Sequence, residues 1–534
     1  EASGGGQAAA EAEPPPPRGG ALRAATTVRA YFDGRWCDTP LFARADLRPG
    51  DAVDGPAIIA EANATTVVEP GWRATVSALD HVLLKRVAAR PQRRAAGTRV
   101  DPVMLEVFNN LFMSIAEQMG LRLQNTAYSV NIKERLDFSC ALFDADGNLI
   151  ANAPHMPVHL GSMSESIKTV MRENAGRMTP GDAYVVNDPY NGGTHLPDVT
   201  VITPVFDRAG RDILFYVGSR GHHADIGGIT PGSMPPFSKT LDEEGVLFAN
   251  FKLVEGQGPD RPGRLREAEC LALLQSGPHP ARNPQQNLAD LKAQIAANEK
   301  GREELLRMVD QFGLDVVKAY MQHVQDNAEE SVRRVLDVLS DGHFSYPMDN
   351  GDRIEVKVTV DRRAREALID FTGTSPQGRH NYNAPFAVCK AAVLYVFRTL
   401  VKDDIPLNEG CLKPLRIRVP ERSIISPDRL AAVIAGNTEV SQCITDALYG
   451  ALGVMASAQG TMNNFVYGND TYQNYETICG GTGAGADFDG ADAVHSHMTN
   501  TRMTDAEVLE SRYPVRVEEF SIRRGSGGAG RHRG

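Results

Sequence analysis

Five histidines fall in one stretch between positions 155 and 223, each in text rich in glycine, proline and aspartate. They are His155 and His159 in HMPVH, His195 in NGGTHLPD, and the pair His222 and His223 in RGHHAD. Three carboxylates accompany them: Asp188 in NDPY, Asp198 three residues after His195, and Asp225 two after His223. Imidazole and carboxylate together form the donor set of a first-row divalent metal with open positions. HLPD puts a nitrogen and an oxygen donor on one short turn stiffened by Pro197, and a second strand ending in HHAD can bring a third donor across. A single HxxD carries almost no information, and the competing reading is ordinary polar loop histidines with acidic neighbours. Three such loops in one span, all beside glycines that let backbones approach, bring the metal site level with it.

Other polar groups are less pointed. Asn437, Thr438 and Glu439 in AGNTEVSQ, with Ser441 and Gln442, either contact a small polar substrate or cap the helix that follows. His495 and His497 in HSHMTNTR share one face of a strand, as a satisfied structural pair or a second polar site. Cys443 lies in apolar text, which favours an inert buried thiol over a nucleophile. The run GGTGAGAD at 480–487 reads as a tight surface loop before it reads as a phosphate cradle. No GxxxxGK[ST], strand-to-helix GxGxxG, GxSxG or HExxH is present.

The elements that must position these residues follow from periodicity. Asp101 caps a helix opened by Pro102, with Val103, Val107, Leu111, Ile115, Met119 and Leu123 recurring every fourth position. Arg135 to Ile150 reads as a hairpin turning at DADGN, and strands follow at YVVND, DVTVITPVF and ILFYVGSR. From about 283 to 339 the pattern is helical, two or three helices with polar residues outside and Leu288, Leu291, Ile295, Leu305, Val309 and Phe312 inside. Strands return at RIEVKVTVD and REALIDFTG, then an apolar helix over 387–400. Mixed elements without strict βαβ alternation predict an α+β fold: a large mixed α/β body preceded by a small β-rich module.

That module is read from YFDGRWCDTPLF through GPAIIAEANATTVVEPGWRATV, where apolar residues alternate and DG and PG punctuate. The expected layout is a flexible Ala/Gly/Pro linker over 1–26, the β-rich segment with a basic linker over 27–97, and the catalytic body over 98–534. The basic linker KRVAARPQRRAAGTR suits a solvated connection better than an anion patch.

Composition bounds the rest. The 534 residues are 42% hydrophobic and 23% charged, which is folded-protein usage, with a net charge of −11 that argues against a nucleic-acid partner. No run approaches the roughly eighteen apolar residues of a membrane span. Seven scattered cysteines without CxxC, and no leader at the start, suit a reducing compartment, so the expected location is cytoplasmic. A start without Met and an end inside GSGGAGRHRG read as part of something longer, with a truncated C-terminus.

Several blocks together resemble a known family. DPVMLEVFNNLF, ERLDFSCALFDADGNLIANAPHMPVHLGSM, NDPYNGGTHLPDVTVITPV, SRGHHADIGGITPGSMPP, FTGTSPQGRHNYNAP, GNTEVSQ and YETICGGTGA run in order over roughly 100–530 and resemble the hydantoinase B/oxoprolinase family. The preceding β-rich segment resembles the C-terminal end of hydantoinase A, and that order is the layout of single-chain ATP-dependent 5-oxoprolinases. The resemblance implies an upstream hydantoinase A-like ATPase half that binds ATP and Mg²⁺, and a hydantoinase B half holding a divalent metal (Zn, Mn or Fe). By motif, His195 and Asp198 with His222 or His223 are the first ligands, His155 is of second rank, and Asp188, Asp225 and His159 take acid–base or orienting roles. Asn437, Thr438 and Glu439 are the substrate-binding candidates. The implied reaction is hydrolytic opening of a cyclic amide, 5-oxo-L-proline to L-glutamate, in glutathione metabolism. Phosphorylation of the amide oxygen makes the ring carbon electrophilic, and a metal lowers the pKa of its water towards about 7. A homo-oligomer is implied. Rival readings are an N-methylhydantoin amidohydrolase, a ketone carboxylase subunit, or a non-catalytic assembly subunit with a closed structural metal site.

Overall fold

A computed structural model describes residues 22–32, 34–88, 97–259, 261–403 and 405–534. Most of the expected N-terminal linker and the middle of the basic linker lie outside these residues. Contacts divide the chain into two compact units, Glu1–Arg94 and Ala95–Gly534.

Among the described residues the first unit is β-rich, with one short 3-10 turn at Arg44–Asp46. Its strands are β1 (Thr26–Phe32), β2 (Arg35–Ala43), β3 (Ala52–Asp54), β4 (Ala57–Ala60), β5 (Thr65–Val68), β6 (Trp72–Val76) and β7 (Val82–Arg86). They form two sheets, ordered β1-β2-β4-β5 and β3-β6-β7. Alternate residues of the short strands turn inward, so Val53, Ala57, Ile59, Val68, Ala74 and Val76 meet with Leu47 in one small core.

The second unit is built around a seven-stranded antiparallel sheet. It contains β8 (Phe138–Phe143), β9 (Leu149–Asn152), β10 (Ala183–Val186), β11 (Asp198–Phe206), β12 (Ile213–His222), β13 (Phe251–Glu255) and β14 (Arg264–Leu265), ordered β14-β13-β10-β11-β12-β8-β9. The β8–β9 turn is held by Asp144, whose Oδ1 accepts from the Asp146 and Asn148 amides. Its helices include α1 (Pro102–Thr126), the short α2 (Val130–Lys133), α3 (Pro157–Glu173), α4 (Glu267–Leu274), α5 (Pro284–Phe312) and α6 (Leu314–Val338). Leu160, Met163, Ile167 and Val170 of α3 cover one face of the sheet. Residues of α1, α5 and α6, among them Phe108, Phe112, Ala297 and Val324, cover the other. Both faces are therefore dry, and β8, β10 and nearly all of β11 and β12 are buried along their length.

A second sheet, β15 (Gly342–Pro347), β16 (Arg353–Asp361), β17 (Glu366–Asp370) and β18 (Leu415–Arg418), packs against α7 (Phe386–Thr399) and α8 (Ser441–Leu452). A hairpin of β19 (Asn464–Gly468) and β20 (Gln473–Thr477), then α9 (Ala506–Arg512), completes an α+β unit. Gly161 of α3 lets α7 approach, because a Cβ there would stand 2.5 Å from the Ala391 Cα. No helix among the described residues is long and apolar enough to cross a membrane.

Two sequence expectations change. Asp101 does cap α1, accepting from the Met104 amide at 2.9 Å, but Val103 and Val107 are exposed while Phe108 and Phe112 are buried. Four residues turn the helix by about 400°, so an every-fourth row drifts by about 40° per step and leaves the core face over six positions. The second change is on α5, where Asn287, Asp290, Gln294 and Asn298 are buried instead of outside. Their side chains bond the sheet and nearby backbone: Gln294 Nε2 donates to the Val199 and Ser219 carbonyls, Asn298 Nδ2 to that of Val201, and Asp290 accepts from the Tyr128 and Ser129 amides. Polar side chains that bond strand carbonyls and nearby amides can be buried where apolar periodicity gives no warning.

Candidate metal centre

Strands β11 and β12 are paired so that Asp198, the first residue of one, stands opposite His222, the last of the other. The turn before β11 is tied by the Asp198 amide to the His195 carbonyl, which folds His195 back over Asp198. His159 enters from the first turn of α3, just after Pro157. As a result Asp198 Oδ1 lies 3.1 Å from His159 Nε2, 3.1 Å from His195 Nε2 and 3.2 Å from His222 Nδ1. The other oxygen, Oδ2, accepts from Thr194 Oγ1 at 2.8 Å and from Asn437 Nδ2 at 3.3 Å. All six residues are buried.

Asn437 arrives from far along the chain. Residues Gly436–Val440 form one π-helical turn leading into α8, a wide turn common at functional sites. It seats Asn437 with Nδ2 also 3.1 Å from His195 Nε2. Gly436 permits this packing, since a Cβ would meet the Asn383 carbonyl oxygen at 2.0 Å. The segment before it is pinned by Glu244, which accepts from the Val433 and Ile434 amides and from Ser238 Oγ. Burial pushes the Glu244 carboxyl up to about 7.

The donor set fits a divalent cation. Donor atoms of His195, Asp198 and His222 all lie within 4.8 Å of one another. Ligand bonds of about 2.0–2.2 Å imply ligand–ligand distances of roughly 2.8–3.6 Å between octahedral and tetrahedral angles, a range that contains the 3.1–3.2 Å imidazole–carboxylate contacts here. His195 Nδ1, His222 Nε2 and Asn437 Oδ1 are buried without partners, a cost normally avoided unless a ligand or ordered solvent meets them. Burial would raise the Asp198 pKa, but His159 and His195 hold it well below the usual carboxylate range. Burial lowers the pKa of His222, favouring the neutral ring a metal needs. Behind the cluster Arg220 is fully buried, bonded to the hydroxyls of Thr200, Ser162 and Ser166, and burial brings it down to about 10.

Other residues singled out from sequence stand apart. His223 turns to the opposite face of the strand end, with Nε2 3.1 Å from Gln294 Oε1 and Nδ1 3.0 Å from Asn287 Nδ2. Both nitrogens are engaged, so of the two neighbours His222 joins the cluster and His223 does not. His155 accepts the Cys140 amide on Nδ1 and packs on Phe138; burial pushes it down to about 4. Asp225 is not an orienter of a cluster histidine: its oxygens accept from the Gly227, Gly232 and Arg282 amides and from Arg282 Nη1. Asp188 binds the Tyr190 amide and Arg429.

Among the substrate candidates only Asn437 reaches the cluster. Thr438 bonds the Ile434 carbonyl, and neither it nor Ser441 caps α8. Glu439 accepts from Asn464 Nδ2 and, with Tyr346, Tyr382 and Cys443, lines a separate cavity of about 250 Å³. Burial raises the Cys443 thiol to about 12, so it is a poor nucleophile. The HxH pair splits: His497 Nε2 sits 3.1 Å from Asp446, whereas both ring nitrogens of His495 are buried without partners.

Thr194, Ser139, Tyr475 and Arg220 were not singled out from sequence. Thr194 is adjacent to His195, the one positional hint among them. Ser139 Oγ is 3.3 Å from His159 Nδ1, and Tyr475 stacks on His222; a lone Ser or Tyr in a strand carries no signal of such a contact.

A profile of hydantoinase B/oxoprolinase matches residues 101–534, carrying the whole cluster. The chain belongs to the hydantoinase B/oxoprolinase family. Residues 8–87 match the hydantoinase/oxoprolinase C-terminal domain. Similar curated proteins include 5-oxoprolinase 1 of Arabidopsis thaliana, 47% identical over 95% of this chain and 41% of its own length. 5-Oxoprolinase of Saccharomyces cerevisiae is 45% identical over 96% of this chain and 42% of its own length. The chain thus spans about two fifths of these relatives. Among solved structures, the ATP-dependent caprolactamase from Pseudomonas jessenii aligns with a TM-score of 0.69 at 25% identity, covering 79% of this chain and 75% of that one. Nucleotide-free acetone carboxylase shares the fold with a TM-score of 0.71 at 18% identity, covering 83% and 63%.

Proposed function

We propose that this member of the hydantoinase B/oxoprolinase family supplies the hydrolytic half of an ATP-dependent cyclic-amide hydrolase, with 5-oxo-L-proline as substrate and L-glutamate as product. The observation that carries the reading is a single buried carboxylate oxygen, Asp198 Oδ1, within 3.1–3.2 Å of three imidazole nitrogens. Relatives named 5-oxoprolinase support the substrate class, and the caprolactamase, by its name, concerns the same bond type, a lactam.

His195, Asp198 and His222 are the residues that would hold a divalent metal, and their donor types suit Zn, Mn or Fe. When bound, such an ion supplies Lewis-acid polarisation and a lowered pKa for water. The protein's own groups do the remainder. Thr194 and Asn437 hold Asp198 Oδ2, so that Oδ1 stays aimed between the imidazoles. His159 places Nε2 at that same oxygen, and its Nδ1 faces the Ser139 hydroxyl, which gives it a path for holding or passing a proton. Asn437 Nδ2 faces His195 from the π-turn, and its unpartnered Oδ1 is the atom left to accept from a substrate N–H. Phosphorylation of the amide oxygen by an upstream hydantoinase A-like half, with ATP giving ADP, activates the carbon; one water adds there as the C–N bond breaks to leave an acyl phosphate, and a second water hydrolyses that to glutamate and inorganic phosphate. ATP and Mg²⁺ belong to that half in this reading.

The test uses the full-length polypeptide with ATP, Mg²⁺ and 5-oxo-L-proline, measuring ADP and glutamate together. Glutamate formed in step with ADP, and lost in His195→Ala, is the expected result. Unchanged glutamate release in His195→Ala overturns the site. Silence until a hydantoin, or a ketone with bicarbonate, is supplied overturns the substrate.

A further inference from the structure

We infer that Tyr475 is a positioning residue that fixes the ring plane of His222 through a face-to-face stack anchored by Asn464. This rests on the metal-centre reading above and extends it to a residue on a different hairpin.

His222 is tethered unevenly. Its backbone is fixed by the β11–β12 register and by a hydrogen bond that its amide donates to the Asp137 carbonyl. Its ring has one polar contact, Nδ1 to Asp198 Oδ1, while Nε2 has none. The Nδ1 contact acts on the ring's edge, while its faces are met by other rings, His195 standing tilted with centroids 5.1 Å apart. The second restraint is Tyr475 of β20, whose ring lies 4.5 Å from the imidazole centroid at an interplanar angle of 19°.

Tyr475 is itself held at both ends. Its hydroxyl donates to Asn464 Oδ1 at 2.8 Å, a diagonal neighbour across the β19–β20 hairpin. Asn464 is fixed in turn because its Nδ2 donates to Glu439 Oε1. At the backbone, the Tyr475 carbonyl accepts from Arg135 Nη1 at 2.8 Å, and the guanidinium carbon lies 4.8 Å from the ring centroid. The competing role is plain packing, since Tyr475 also touches Met234, Ile434 and Val466. Packing needs volume, whereas positioning needs a flat face, and that difference is measurable.

The experiment is Co²⁺ titration of the 534-residue chain against a competing chelator, with the visible ligand-field spectrum recorded and unfolding of each metal-free form followed as a check on folding. Tyr475→Phe keeps the face but loses the hydroxyl anchor and should bind Co²⁺ within about threefold of the parent with a small band shift, whereas Tyr475→Leu should weaken binding by about 10–100-fold and shift the bands further. Asn464→Ala, which frees the hydroxyl without touching the ring, should shift them in the same direction by less. A folded Tyr475→Leu protein with parental affinity and spectrum overturns the inference. If that variant does not fold, Asn464→Ala decides, and parental behaviour there overturns it. His195→Ala separates the two readings: loss of Co²⁺ there with no effect at Tyr475 sinks only the positioning role, whereas parental binding in His195→Ala sinks the metal centre with it.

Discussion

The two faces of the β12 end are made of the same residue types and behave in opposite ways. Towards α3 and the π-turn, His222 and Asp198 meet His159 and His195, and two imidazole nitrogens are left without partners. Towards α5, His223 and Asp225 are saturated: Gln294 and Asn287 take both nitrogens, and Arg282 with three amides takes the carboxylate. Both faces are buried, so burial does not distinguish a site from a structural network. Three imidazole nitrogens converging on one carboxylate oxygen do.

The sharpest way to break this comparison is to remove one member from each face. His222→Ala should abolish glutamate release in the full-length enzyme and lose stoichiometric metal by elemental analysis; retained metal would erase the distinction. Asp225→Asn should leave metal content intact but cost on the order of 3–5 kcal/mol in denaturant unfolding, because it leaves the largely buried Arg282 short of its counter-charge. His223→Ala should also keep its metal and lose about 1–3 kcal/mol, the penalty of stranding Asn287 and Gln294.

A weaker probe is pH. Burial holds the Glu439 carboxyl up at about 7 against an ordinary 4.5. The folded chain therefore keeps a proton that the unfolded chain releases between those values. Stability from this group is full below about pH 4.5 and is lost as pH rises towards 7, up to about 3 kcal/mol. Glu439→Gln should flatten that slope relative to the parent in unfolding at pH 5 and pH 7, and parallel curves would remove the assignment. The smallest effect is expected at Val103→Ala on the exposed start of α1, within about 0.5 kcal/mol.

Much of this architecture is legible in the sequence for local reasons. The α1 cap at Asp101, the DADGN turn and the strands carrying HLPD and HHAD each depend on a few neighbouring residues. The buried polar row on α5 was not legible, because Asn, Asp and Gln read as solvent-facing until packing brings carbonyls of β11 and β12 to accept from Gln294 and Asn298. Thr438 and Glu439 failed to join Asn437 because successive residues of any helical turn point in well-separated directions, and Glu439 faces a separate cavity.

The sequence by itself determined that one strand end offers two adjacent imidazoles, His222 and His223. It left open which of them faces the cluster. Only the tertiary structure decided that, by placing α3 and the π-turn on one side of β12 and α5 on the other. His159, Asn437 and Tyr475 come from three other elements, and only the packing of the whole unit brings them to one carboxylate and one imidazole ring.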